Sequence, residues 1–515
     1  MAIIGTLLKK GIKIRETLEQ EYSNPPELQK TELKNLLIHA RNTEFGRYYI
    51  FKDILEGFKS GGDRFYQSFK KSIPIFDYNK IYNEWWSKSL EGRRDVCWPG
   101  QVKYFALSSG TSEAASKHLP VTIDMIKSIQ KTSIRQILTL SKYDVPDELF
   151  TSGILMLGGS TSLNHRGTYF EGDLSGITAS TLPFWFQQFY KPGKKIAKNT
   201  DWKQKINEIA AKAKDWKIGI IVGVPAWIQI LIERIIEYHH LNSIHDIWPD
   251  LCIYVHGGVA FDPYRQRFEK FFTKPMIYME TYLASEGFIA FQGKPGNSMR
   301  LVLNNGIFYE FIPFNETNFD ENGNLNENAE TLLIDEIEEN QDYALLISTN
   351  AGAWRYLIGD TIRFVSAADA EIVITGRTKH FLSLVGEHLS VENMNKAVES
   401  VSRSLNVNIN EFGVAAMKSG TLWGHQWYLG CDRQVDESLV AQKLDDELKL
   451  INDDYRVERT SALKQIKVDC LPISAFYQWM DNNGKIGGQN KFPRVMKGDI
   501  LLNWQNFLKE NYQTA

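Results

Sequence analysis

The chain has 515 residues, enough for about three domain-sized units at ~150 residues each and for several buried cores. Hydrophobic residues make up 43% and charged residues 23%, ordinary globular usage, and a formal net charge of −3 leaves no overall basic field to hold nucleic acid. No apolar run approaches a membrane span, and Cys97, Cys252, Cys431 and Cys470 lie far apart without metal-ligand spacing, which reads as reduced thiols in a cytoplasmic protein.

The opening MAIIGTLLKKGIKIRETLEQ is amphipathic and lysine-bearing, without a signal peptide's apolar stretch and cleavage site. It reads as a helix that docks on the domain or, alternatively, on a membrane surface. Apolar residues at three- and four-residue steps predict mostly helix over 1–100, punctuated by Pro25, Pro26, Gly61 and Gly62. From Tyr104 short apolar runs alternate with helical stretches: KYFALSS, TIDMIKSIQKTSIRQILTL, GILMLGG, KIGIIVGVP, PAWIQILIERIIEYH and LCIYVHGG. Strands feeding helices through glycine-bearing turns predict an α/β sheet architecture. Residues 300–375 read strand-rich, through LVLNNGIFYEFIPF, ETLLIDEIEE, YALLISTN and AEIVITGR. After ITGRT, VENMNKAVESVSRSL reads as a helix and QWYLGCD and QIKVDCL as strands. The expected organisation is a large α/β domain of mixed sheets and helices, 1–378, and a smaller, mobile α+β domain, 379–515.

Several segments carry chemistry. Ser108, Ser109, Gly110, Thr111 and Ser112 open SSGTSEAASK directly after a strand-like run. Small residues let backbone approach a polyphosphate, hydroxyls and amides donate to its oxygens, and Lys117 would neutralise the outer phosphates. The spacing is not that of a Walker loop, and a flexible surface loop is the competing reading. Gly257 and Gly258 end another strand-like run, leaving room for a flat ligand or simply forming a tight turn. In TYLASEG, Tyr282 offers a ring to a base, and Glu286, after Ser285, offers a carboxylate of the kind that holds Mg²⁺ beside phosphates. Asp360 in RYLIGD can accept both hydroxyls of a ribose. Arg377 in ITGRTKH can reach a nucleotide or make a surface ion pair, and Lys379 stands where a hinge would be. Lys491, in NNGKIGGQNKFPR, is either solvated or delivered from a separate domain to bridge a carboxylate and the α-phosphate. Val224 and Trp227, at a helix start after GVP, are acyl-pocket walls or core packing.

In their order these motifs resemble the adenylate-forming superfamily of acyl-CoA synthetases, nonribosomal adenylation domains and firefly luciferase. SSGTS with Lys117 nine residues after Ser108, NTEFGRYYIF from Asn42, SIPIFDYNKIY from Ser72, the WPG ending at Gly100, YLASEG, LVGEHLS and GGQNKFPR are similar to the Gretchen Hagen Three family of acyl acid amido synthetases. The likeness covers essentially the whole chain. It implies a large domain that binds ATP and an acyl acid, and a small C-terminal domain that rotates between half-reactions. It places Ser109 to Ser112 and Lys117 at the phosphates, Tyr282 at the nucleotide, Glu286 at Mg²⁺, Asp360 at the ribose and Lys491 in adenylation. The chain departs from the family at Glu113 and Ala114, where glycines are common, and at Leu357, where plant members usually have Arg. Lys379 replaces the Asp common at the superfamily hinge.

The implied reaction joins a small carboxylic acid to an amine, usually an amino acid, through an acyl-adenylate, with no nucleic acid or membrane partner. No nucleophile–base pair is recognisable, in keeping with a route without a covalent enzyme intermediate. A CoA ligase sharing the first half-reaction, and a nucleotide-binding scaffold that has lost catalysis, are the alternatives. Trp, Phe and Val near the expected pocket point to an aromatic or apolar acid.

Overall fold

The computed structural model describes residues 24–59, 63–108, 117–258, 261–320, 323–378, 382, 389–419, 422–452, 455–456, 459, 463–484 and 492–512. The helix Pro25–Ala40 begins where Asn24 accepts from the Glu27 amide and a proline sits in the first turn, where its missing N–H costs nothing. Gln29 on this helix is buried. Its Nε2 donates to the carbonyls of Leu303 (2.7 Å) and Ile307 (3.1 Å), and its Oε1 accepts from the Tyr309 amide (2.7 Å). One side chain thus satisfies three backbone groups and fixes the helix to the sheet. The helices Phe51–Lys59 and Asp63–Ser72 add Phe51, Ile54, Phe65 and Phe69 to the same core as Trp86 and Trp354.

Among the described residues the main sheet has eleven strands. Their order is Ile307–Pro313, Asp342–Thr349, Tyr356–Ser366, Glu371–Arg377, Met299–Leu301, Gly287–Gln292, Ile277–Ala284, Ile253–Gly257, Ile218–Gly223, Gly153–Leu157, Tyr190–Lys191. The last five run parallel. Apolar runs such as GILML and IGIIVG suit strands enclosed on both faces. Ile277–Ala284 is the joint: parallel to Ile253–Gly257 on one side, it pairs antiparallel with Gly287–Gln292 on the other, through the turn Ser285–Glu286. From Gly153–Leu157 the chain goes outward to the edge strand and then returns to Ile218–Gly223 on the opposite side. Connections that diverge in this way open a crevice at the carboxyl ends of the two strands.

A second sheet has the order Lys117–Val121, Tyr104–Ser108, Tyr169–Gly172, Asn164–Arg166. The expected strand in ETLLIDEIEE is absent: apart from a single bridge between Phe311 and Leu332 the segment is irregular, and the Glu336 carboxylate turns it by accepting from the Leu333 amide at 2.7 Å. No helix among the described residues is long and apolar enough to cross a membrane.

The chain divides into two compact units. The larger takes the described residues of Met1–Val259, Phe271–Phe314 and Ala329–Ile374, and the smaller those of Ala260–Lys270, Asn315–Asn328 and Thr375–Ala515. The smaller unit has a four-stranded sheet ordered Leu463–Pro472, Leu422–Cys431, Ile409–Ser419, Val495–Met496. The helices Val391–Leu405 and Glu437–Ile451 contribute Val398, Val401, Val440 and Leu444 to its core. The helix Asp262–Glu269 joins this unit through Tyr264, whose hydroxyl donates to Glu411 at 2.7 Å, while Arg494 meets the other oxygen of that carboxylate at 2.9 Å.

Candidate active site

The strands Tyr104–Ser108 and Lys117–Val121 form a hairpin in which Ser108 lies opposite Lys117. The hairpin therefore brings the two ends of the predicted phosphate loop together. Ser109, Gly110, Thr111 and Ser112, with Glu113 and Ala114, lie outside the described residues. The Lys117 ammonium sits 5.1 Å from the centroid of the Tyr78 ring, and the Tyr78 hydroxyl accepts from the His118 amide at 2.8 Å. Glu171 anchors the hairpin from the neighbouring strand, with His118 Nε2 at 3.1 Å and Arg166 Nε at 2.7 Å. Burial alone would raise the Glu171 carboxyl, but Arg166 and His118 outweigh it and hold it below the usual carboxylate range.

Gly257 and Gly258 close the strand Ile253–Gly257. A Cβ on Gly257 would stand 2.3 Å from the Thr281 carbonyl oxygen, and Gly258 has φ +82°. The first glycine is needed for close strand approach and the second for a left-handed turn. Beside them, on Ile277–Ala284, the Tyr282 ring is buried in the large core. Its hydroxyl donates to the Asp360 carboxylate, which ties together the two residues expected at the nucleotide.

Asp360 owes its direction to a bulge. Ala344 pairs with Thr361 but Leu346 pairs with Leu357, so Ile358, Gly359 and Asp360 oppose the single residue Leu345. Gly359, at φ +85°, absorbs the irregularity. The bulge on Tyr356–Ser366 aims the carboxylate at a residue 78 positions away in sequence.

Ser285 is buried in the hairpin turn and Glu286 is half-buried. Glu286 lines a small, partly open recess together with Met125, Ser128, Ile129, Asn305 and Asn350. The first three come from the helix Ile123–Leu138, which directly follows the Lys117 strand. Asn350 Nδ2 donates to Ser128 Oγ at 2.8 Å, and Asn305 Nδ2 to the Ser128 carbonyl at 2.6 Å. A carboxylate among amide and hydroxyl oxygens is a hard donor set of the kind Mg²⁺ takes together with phosphate oxygens. Among the described residues no three His, Cys, Asp or Glu side chains gather as a metal cluster. Glu286 is the carboxylate here that would hold Mg²⁺ beside the phosphates of a nucleotide.

Val224 caps the helix Pro225–His239 and is half-buried; Trp227 is buried edge-on against Trp202, with ring centroids 4.5 Å apart. Arg377 is exposed at the end of its strand and groups with the smaller unit. Lys379 and Lys491 lie outside the described residues. Three buried charged groups were not anticipated, Lys205 and the paired Arg355 and Glu310. The first leaves a trace in sequence, since Lys205 falls on the stripe of Trp202, Ile206 and Ile209 at helical steps.

Family models match along most of the chain. The GH3 family N-terminal domain matches residues 14–205 and 131–277, the central domain 300–376 and the C-terminal domain 392–499. The chain belongs to the GH3 family. It is 22% identical over 571 residues to the indole-3-acetic acid-amido synthetase GH3.4 of Arabidopsis thaliana, covering 95% of this chain and 92% of that one. It is 20% identical over 464 residues to the jasmonoyl–L-amino acid synthetase JAR6 of Nicotiana attenuata, covering 76% of each. In fold it is similar to AtGH3.15 acyl acid amido synthetase in complex with 2,4-DB, with a TM-score of 0.75 at 16% identity over 98% of this chain and 96% of that one. A 2-hydroxyisobutyryl-CoA ligase in the postadenylation state shares the fold more loosely, at a TM-score of 0.59 and 10% identity over 93% and 91%. The sheet architecture is thus common to GH3 proteins and to an enzyme that uses CoA.

Proposed function

We propose that this GH3 protein adenylates a carboxylic acid with ATP and transfers the acyl group to an amine, in the first place an amino acid. The carboxylate oxygen bonds to the α-phosphorus and pyrophosphate leaves. The amine nitrogen then bonds to the acyl carbon, AMP leaves, and the nitrogen gives up a proton. The observation that carries this reading is the match to all three GH3 domains along the chain. The fold is shared with a CoA ligase, so it is the family that favours an amine over a thiol as acceptor.

The residues divide the work by chemistry. Ser108 to Ser112 and Lys117 take the phosphates from the hairpin, and Gly257 and Gly258 leave room for the flat base. Asp360 accepts the ribose hydroxyls, and Tyr282 holds the Asp360 carboxylate in place. Ser285 and Glu286 face the phosphates, where bound Mg²⁺ would neutralise polyphosphate charge. Arg377 stands at the end of the large domain, 1–378, and Lys491 comes from the smaller domain, 379–515, which moves between the two half-reactions. Lys491 neutralises carboxylate and α-phosphate as they approach. Val224 and Trp227 border the acid, which is aromatic or otherwise apolar. The names of the relatives, with indole-3-acetic acid, jasmonoyl and 2,4-DB, are of that kind.

The test is AMP release from ATP with a panel of acids, each offered amino acids, CoA or neither. Amide formation with amino acids is expected. Thioester formation alone would make the chain a CoA ligase, and silence across the panel would leave a nucleotide-binding scaffold. Preference for a dicarboxylate would refute the apolar pocket.

A further inference from the structure

Lys205, on the helix Trp202–Lys212, is only 3% exposed. A buried ammonium loses several kcal/mol of hydration, so a lysine at a core position calls for a reason. Its Nζ donates to the carbonyls of Gly158 (2.8 Å) and Gly159 (3.2 Å). Those glycines follow the strand Gly153–Leu157 at the crevice where the chain connections diverge. From the opposite side the Gly159 amide donates to Ser175 Oγ at 2.8 Å, and Ser175 donates in turn to Asp173. The packing leaves no slack: a Cβ on Gly158 would stand 2.5 Å from Ser175 Oγ, and one on Gly159 would stand 2.6 Å from Asp173 Cβ. Ser160 Oγ and the Thr161 amide extend the stitching to the carbonyls of Lys198 and Ala197. Burial pushes the Lys205 ammonium down to about 8, with Asp173 opposing, so it remains mostly charged at neutral pH.

This turn adjoins Val224 and Trp227, the residues proposed above to border the acid. Leu157 pairs with Gly223, which leads into Val224, and Lys205 lies 5.9 Å from the Trp202 ring that meets Trp227. Gly257, on the nucleotide side, ends a strand two places away, roughly 10 Å at ordinary strand spacing. We infer that Lys205 is a positioning residue for the carboxylic acid: by gripping the carbonyls of Gly158 and Gly159 it fixes the turn that borders the acid subsite. The inference rests on the adenylation reading above and adds to it a device for the acid that the nucleotide does not use.

The experiment is acid-dependent pyrophosphate exchange by wild type, Lys205→Met and Ser175→Ala, with KM read separately for the acid and for ATP. Ser175→Ala releases the same turn from its other side and serves if the lysine variant does not fold. Each variant is expected to raise the acid KM about tenfold, the scale of one charge-assisted or well-placed hydrogen bond, with the ATP KM within about twofold of wild type. An unchanged acid KM, or equal rises in both constants, would overturn the inference while wild-type exchange left the adenylation reading intact. No exchange by wild type with any acid would overturn that reading, and this inference with it.

Discussion

Glu310→Gln takes one charge out of the interior of the larger unit and leaves its surface untouched. Arg355 Nε lies 3.1 and 3.0 Å from the two Glu310 oxygens, and Nη2 lies 2.9 Å from Oε1. Nη1 also donates to the carbonyls of Lys70 (3.0 Å) and Ile73 (2.8 Å), and Nη2 to Thr331 Oγ1 at 3.2 Å. The Tyr66 hydroxyl donates to Glu310 at 2.9 Å; burial first, then the Glu310 charge, pushes that hydroxyl well up, so it stays a donor. The arginine side chain is 4% exposed and the glutamate 1%, so water screens neither. Glutamine keeps the shape but leaves the guanidinium without a counter-charge and turns an N–H₂ toward its donors. Breaking such a pair costs about 3–5 kcal/mol. Urea unfolding followed by tryptophan fluorescence reads this directly, because Trp86 and Trp354 lie in the same core. The transition of the larger unit is expected to move down by roughly 1 M or more, at a slope of a few kcal/mol per molar. Removing Arg355 as well, in Glu310→Gln/Arg355→Met, is expected to recover part of the loss by removing the stranded charge. A loss below ~1 kcal/mol, the value of an exposed pair, would refute the reasoning.

Three further outcomes are expected. Glu286→Gln should weaken magnesium-dependent ATP use, and wild-type adenylation across a magnesium titration would sink the assignment. Lys491→Ala should lower acid-dependent pyrophosphate exchange roughly 10²-fold, the scale of one electrostatic contact to a developing charge, while acyl transfer from presynthesised acyl-adenylate stays near wild type. Equal losses in both half-reactions would instead point to a structural role for the glycine-rich stretch around Lys491. The third concerns pH: burial alone would raise the Asp445 carboxyl, but Arg459, Lys449 and Tyr455 hold it below the usual range. Its contribution is therefore complete above about pH 4 and fades as pH falls through the lower folded value, because the unfolded chain takes up the proton first. Asp445→Asn should destabilise the smaller unit at neutral pH, with the gap to wild type narrowing in acid. A gap equal at pH ~3 and ~7 would contradict that sign.

The sequence by itself determined the elements that depend on local pattern. GILMLGG, KIGIIVGVP and LCIYVHGG are strands because their apolar runs end in glycines, and VENMNKAVESVSRSL is a helix because Ser390 caps it and Met394, Ala397, Val398 and Val401 share one buried face. The motifs also declared the family, since their order along the chain needs no coordinates. ETLLIDEIEE had the composition of a strand but not the structure, because alternation within a segment does not supply a neighbour to pair with. Only the tertiary structure decided which side chains meet. Tyr282 reaches Asp360 through a bulge, Gln29 satisfies a strand 280 residues away in sequence, and Lys205 grips a turn 46 residues earlier. Periodicity reports whether a residue is buried, but its partner depends on strand order, register and crossover. Those are properties of the whole sheet, and the physical reason is that burial is a local average whereas a hydrogen bond requires two distant groups to arrive in one place.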